Sequence, residues 1–143
     1  MKTINYQYPE RNSMQIASEP EVLYLTGKKL NEFSMASFEE LSRKLSFSQA
    51  EWADILHISD RTLQRYIKDG KPFEGLYAEH LYQLENLAVM ASEVFSSPET
   101  LKNWLISSKN VLGANLDFNT LKSFWGVKLI ATELGRIAHG VYI

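Results

Sequence analysis

The sequence predicts an all-α protein. Three observations carry that expectation. Two Ser-x-x-Glu pairs, Ser37–Glu40 and Ser48–Glu51, have the spacing of a capping box, in which side chain and backbone satisfy each other's free groups at a helix start. Apolar residues between Glu74 and Phe95 recur at steps of three and four, the period of a helix with one buried face. Ser97-Pro98-Glu99 places a cap, a proline in the first turn and an acid at the positive end of a helix dipole.

The elements follow in chain order. Residues 1–17 are polar with scattered aromatics and no period, and are expected to form an arm that is flexible or ordered by a partner. Tyr6, Tyr8 and Ile16 leave room there for a short strand or a docking segment. Ser18-Glu19-Pro20-Glu21 looks like a helix start, although Val22–Leu25 reads equally well as a strand. The capping box at Ser37 is expected to open a helix with Phe38, Leu41 and Leu45 inward.

Residues 48–67 have the pattern of a helix-turn-helix. Ser48 and Glu51 box the first helix, and Phe47 and Trp52 have the spacing of a hydrophobic staple. Ala53 is small enough to admit a crossing helix. His57 must adopt a left-handed backbone at the turn, a conformation that His tolerates better than a β-branched residue does. Ile58 plugs the gap between the helices. Ser59 caps the second helix, Leu63 and Ile67 face inward, and Gly70 and Pro72 stop it. Arg61, Gln64, Arg65 and Lys68 fall on the outward face. Arg pairs bidentately with guanine, Gln with adenine, and Lys with phosphate, so the face suits a DNA groove.

The long helix that follows links the two halves, and its surplus of apolar surface suits either a dimer seam or packing within one subunit. Next come a helix with Leu101, Trp104 and Leu105 inward, a polar loop over Ser107–Asn115, and a short helix capped by Asp117 with Phe118, Leu121 and Phe124 inward. A last helix is expected after Gly126, through Val127, Ile130, Ala131, Leu134, Ile137 and Ala138, ending at Gly140. Trp104 and Trp125 sit in apolar helical patterns and are expected to anchor core. The organisation is an arm over 1–17, a helix-turn-helix domain over 18–73, a linking or dimer helix over 74–95, and a small helical C-terminal domain over 96–143.

Net charge is −2, which argues against binding DNA by bulk charge. The positive patch is local to residues 59–72, so a dimer that doubles it is expected if the chain binds DNA. No apolar run is long enough to cross a membrane and no leader opens the chain, so a cytoplasmic location is expected. There is no cysteine, hence no disulfide and no thiolate site. The histidines, His57, His80 and His139, lie on separate elements, and no HExxH, P-loop or GxGxxG occurs. The chain is therefore not expected to be an enzyme, nor to need a metal or cofactor.

Trp104-Leu105, Leu112-Gly113, Leu121, Gly126 and the ending Leu134-Gly135-Arg136-Ile137-Ala138-His139-Gly140-Val141-Tyr142-Ile143 resemble the toxin-binding domain of Xre-type antitoxins from RES–Xre type II toxin–antitoxin systems. Ser59, Arg61, Thr62, Leu63 and Arg65 match the same family's helix-turn-helix pattern. The resemblance runs from Val22 to Ile143, and the ending is its most specific part. Ala114-Asn115-Leu116-Asp117 departs from the family's loop, and Trp125 before Gly126 is unusual.

The resemblance implies an all-helical homodimer that blocks a NAD-consuming RES-domain toxin with its C-terminal domain and represses its own operon by binding operator DNA. It assigns Ser59, Arg61, Thr62, Gln64, Arg65 and Lys68 to DNA, and Arg136, His139, Gly140, Tyr142 and Ile143 to the toxin. An ending of one aromatic, one isoleucine and a free carboxylate suits a pocket shaped for a phosphate-bearing dinucleotide, or else folds back on the core. The alternative is a stand-alone dimeric regulator whose C-terminal domain serves dimerisation or sensing.

Overall fold

The computed structural model describes residues 31–107, 109–111 and 113–140. The expected arm over 1–17 and the helix start at Ser18 lie outside the described residues. These described residues belong to one compact unit. Six α-helices and two short strand pairs make it up among the described residues.

A two-residue strand, β1 (Glu32–Phe33), opens the described chain and leads into α1 (Met35–Leu45). The cap of α1 is Ser34, whose Oγ accepts from the Ser37 amide at 3.1 Å. The capping box expected at Ser37 does not form. Starting a turn earlier puts Met35 into the core with Phe38, Leu41 and Leu45, and leaves Glu40 to pair with Arg43 at 2.7 Å.

Next come α2 (Gln49–Leu56) and α3 (Asp60–Asp69), followed by β2 (Phe73–Glu74). β2 pairs antiparallel with β1, Phe33 opposite Phe73 and Glu32 opposite Glu74. The three helices are therefore closed off at their base by this two-rung ladder. Phe38 touches both Trp52 and Phe73, at ring separations of 5.1 and 5.2 Å, which knits the ladder to the helices.

The long helix α4 (Leu76–Val94) supplies Ala78, Leu81, Leu84, Leu87, Ala88 and Ala91 to the core. Its main partner is α6 (Phe124–Ala138). Much of the apolar surface counted in its sequence is thus covered within the same chain; Leu76, Tyr77 and Val89 stay exposed. One continuous core runs from Phe33 through Leu63 and Leu84 to Leu134.

Between these helices lie α5 (Pro98–Ile106), strands β3 (Lys109–Val111) and β4 (Ala114–Leu116), and a 3₁₀ turn over Phe118–Lys122. The stretch expected to be a polar loop is a hairpin, with Lys109 opposite Leu116 and Val111 opposite Ala114. Gly113 takes a positive φ of 83° in its tight connection. Each strand is three residues long, too short for an alternating pattern to stand out in the sequence.

α6 also begins earlier than expected. Ser123 caps it through the Gly126 amide at 2.9 Å, so Gly126 lies within the first turn and does not precede the helix. A Cβ on Gly126 would sit 1.8 Å from the Thr120 carbonyl oxygen, so only glycine allows the 3₁₀ turn and α6 to approach this closely. The cap fixes the phase of the helix: Gly126, Val127, Ile130 and Leu134 point inward and Trp125 points out, 66% exposed. Trp125 is therefore no core anchor. Trp104 is half-buried against Phe95, with the Lys109 ammonium 4.1 Å from its ring centre.

Candidate nucleic-acid interface

The second helix of the pair, α3, is fixed at both ends. Ser59 Oγ accepts from the Thr62 amide at 3.0 Å and donates to Thr62 Oγ1 at 2.9 Å. At the other end Gly70 takes a left-handed φ of 64°, and the Lys71 amide returns to the Tyr66 carbonyl at 3.0 Å. Leu63 is fully buried beneath the helix, with Ile67 and Tyr66 half-buried beside it. Tyr66 lies flat on Phe73, rings 4.8 Å apart and 7° from parallel, and the Lys71 ammonium lies over its ring, 5.2 Å from the centre.

This packing leaves Arg61, Gln64, Arg65 and Lys68 exposed on one stripe. The structure brings these four expected DNA-facing residues together. Ser59 and Thr62 stand at the same end, but their side chains are taken up by the cap, so at most the Ser59 hydroxyl, which is exposed, stays within reach of a phosphate. The four outward side chains offer guanidinium forks, an amide and an ammonium on a rigid platform. That is the donor set for base edges and phosphates.

The helix before it, α2, braces the platform. Its capping box is complete: the Glu51 amide donates to Ser48 Oγ at 3.1 Å and the Ser48 amide to Glu51 Oε1 at 2.8 Å. Phe47 packs on Trp52 at 5.3 Å, as the staple spacing predicts. His57 ends α2 in the left-handed region at φ 61°, and the Ile58 amide closes on the Ala53 carbonyl at 3.0 Å.

Sequence reasoning missed how α2 is tied to the C-terminal half. Lys102 on α5 bridges Glu51 at 2.9 Å, and Lys122 bridges Asp54 at 3.0 Å. His57 donates from Nε2 to the Lys122 carbonyl at 2.7 Å, while His80 on α4 donates to the neighbouring Leu121 carbonyl at 2.8 Å. Two imidazoles thus hold consecutive carbonyls of the 3₁₀ turn. Their signal in the sequence was faint, because partners 65 and 41 residues away leave no spacing to read.

The ionisable groups of this clamp are shifted. Burial raises the Glu51 carboxyl, but the Lys102 ammonium and the Ser48 hydrogen bonds outweigh it, so the net shift is downward. His80 is lowered, first by burial and slightly by His57, against the opposing pull of its bond to Leu121.

The residues expected at the toxin lie at the far end of α6. Arg136 is half-buried and paired with Glu133 at 3.7 Å. His139 is exposed at the helix end, its amide bonded to the Gly135 carbonyl at 3.1 Å. Gly140 has φ 70° and also turns back, onto the Ile137 carbonyl. These three come together; Tyr142 and Ile143 lie outside the described residues. No helix among the described residues is long and apolar enough to cross a membrane.

Residues 32–85 match the antitoxin Xre-like helix-turn-helix domain. The matched segment spans β1, the three helices over 35–69, β2 and the first half of α4, and so contains the whole outward stripe of α3. The match likens this segment to the helix-turn-helix domain of Xre-like antitoxins. No curated protein matches the chain.

Proposed function

We propose that this protein is an antitoxin of a RES–Xre system. It binds and blocks a NAD-consuming RES-domain toxin through its C-terminal region, and as a homodimer it represses its own operon by placing α3 in the major groove of operator DNA. The observation that carries the reading is the stripe of Arg61, Gln64, Arg65 and Lys68, acid-free and held outward by caps at both ends of α3. It lies inside the segment that matches the antitoxin domain. A net charge of −2 fits such a role: groove contacts are confined to one face, and a second copy doubles them.

Two measurements test it together. Co-expression with the product of the adjacent gene, followed by co-purification and a cellular NAD assay, is expected to give a stable complex and restored NAD. Mobility shifts on the operon's promoter are expected to show binding that Arg65→Ala weakens by about 1–3 kcal/mol if Arg65 reads a base. Promoter binding with no partner and no NAD rescue would replace the antitoxin with a free-standing regulator. Unchanged binding of the Arg65 variant would remove Arg65 from the recognition face.

A further inference from the structure

A cavity of about 350 Å³ opens where α1, the second half of α4 and the start of α5 meet. Among the described residues, none of α3 or α6 lines it. The sequence explains why there is room. Ala88 and Ala91, three apart on one face of α4, both border the gap, and a larger side chain at either would fill it. Phe95 and Leu101 wall the cavity, and Ser92 lines it from an exposed position.

Lys44, at the end of α1, is the one charged side chain of this lining among the described residues. Its neighbour Arg43 is taken by Glu40 at 2.7 Å, whereas Lys44 makes no ion pair among the described residues. Glu93 and Glu99, next along the chain to Ser92 and Pro98, do not line the cavity. The hydroxyls of Ser92 and Ser97 are engaged within their own helices: Ser92 donates to the Val89 carbonyl at 2.7 Å, and Ser97 accepts from the Thr100 amide at 3.3 Å. What remains for a ligand is an apolar floor and one ammonium. An apolar cavity of about 150 Å³ holds benzene, so the volume here admits roughly a dozen non-hydrogen atoms on that scale. It also falls within the range of roughly 300–1,000 Å³ found for small-ligand sites.

We propose that this cavity binds a small amphipathic monocarboxylate, a straight chain of about eight to ten carbons by that measure of size, with its tail over Ala88 and Ala91 and its carboxylate on Lys44. The site is separate from the DNA and toxin contacts proposed above and does not depend on them. A sugar or a nucleotide fits poorly, because one ammonium cannot replace the hydration such a polar ligand would lose. A lipid surface fits poorly too, since peripheral binding draws on a cluster of cations and this lining has one. The position gives a ligand leverage. α1 belongs to the helix-turn-helix segment, and α5 carries the Lys102 that bridges Glu51 on α2 at 2.9 Å. One bound molecule therefore touches two of the elements that brace α2.

The test is titration of the full chain with sodium octanoate, followed by amide chemical shifts and by thermal unfolding. A dissociation constant of about 1 mM or tighter is expected for a ligand of this size, with shifts centred on residues 88–101 and a melting temperature that climbs with octanoate. 1-Octanol, which lacks the charge, is expected to bind about fivefold more weakly. Lys44→Glu is expected to weaken octanoate by about as much at low salt and less at high salt, as screening dictates. Ser92→Phe fills the cavity from an exposed position and is expected to weaken octanoate about tenfold or more. Val89→Trp does the same from the neighbouring position if the phenylalanine variant misfolds. Absence of saturable shifts at about 10 mM octanoate overturns the proposal. Affinity unchanged in both filling variants overturns it as well, because octanoate would then sit elsewhere. Equal binding of octanol and octanoate, with Lys44→Glu silent, overturns the carboxylate. A rise in native mass that Ser92→Phe abolishes would give the cavity to a second copy, and co-sedimentation with phosphatidylglycerol vesicles that the same variant abolishes would give it to a lipid; either overturns the free acid.

Discussion

The helix-turn-helix and the segment that closes the molecule are built on different principles. Each helix of the first is set by residues three or four positions away: Ser34, Ser48 and Ser59 cap the starts, and Ser46, His57 and Gly70 take left-handed turns at the ends. The second has local caps too, at Asp117 and Ser123, but adds constraints from a distance. Its 3₁₀ turn hangs from His57 and His80, and α6 fits only because Gly126 lets the Thr120 carbonyl in. The contrast teaches that a self-capped helix pair can present its outward polar face on its own terms, whereas the face of α6 inherits its position partly from the body behind it.

The sharpest way to break the second region is Gly126→Ala. The added methyl meets backbone at 1.8 Å, so either the 3₁₀ turn or α6 must move. A loss of about 3 kcal/mol is expected in denaturant titration, since overpacking typically costs 1–3 and backbone cannot yield as a side chain does. A stability within error of the unaltered chain would mean that this contact is slack.

The matching cut in the first region should be milder. Ser48→Ala removes one side of the capping box and is expected to cost about 1 kcal/mol. A loss well beyond that would show that the box also secures the Glu51–Lys102 bridge, and that the helix-turn-helix is less self-sufficient than its geometry implies.

The gentlest probe needs no extra bulk or lost cap. Burial lowers His80 below its ordinary value of 6.5, so the fold favours the neutral imidazole. Below that pH the unfolded chain takes up a proton that the native chain refuses, so stability falls with acidification. The fall should level off once the pH passes the depressed native value. The denaturation midpoint of unaltered protein should drop between pH 7.5 and 5.5 relative to His80→Gln, which keeps a donor toward Leu121 without titrating. Equal pH dependence in the two would acquit His80.

The division between regions also explains what could be read beforehand. The staple Phe47–Trp52, the left-handed His57, the Ser59 cap and the inward Leu63 were legible because each is a local rule. Ser37 was mistaken for a cap because Ser34 obeys the same chemistry, and only burial of Met35 decides between them. The hairpin at 109–116 was hidden because its strands are too short to show a pattern, and the early start of α6 with its outward Trp125 because Gly126 looked like a break and masked the local Ser123 cap. The outward residues of α3 were found for the same reason that those of α6 upstream of Arg136 were missed: one face is polar by composition, the other carries an aromatic that the sequence alone assigns to the core.

The ladder that pairs Phe33 with Phe73 has a mechanical consequence. The chain enters and leaves the three-helix segment at one neck, so tension between residues 31 and 75 acts on two rungs in an unzipping direction. Glu32 faces Glu74 at the outer rung, where like charges already push apart. The neck is where a pulled molecule would yield first, and Tyr82, whose hydroxyl donates to the Glu32 carbonyl at 2.7 Å, is the rivet that α4 adds to hold it. A tug on the chain there would be spent at the neck before it reached α3.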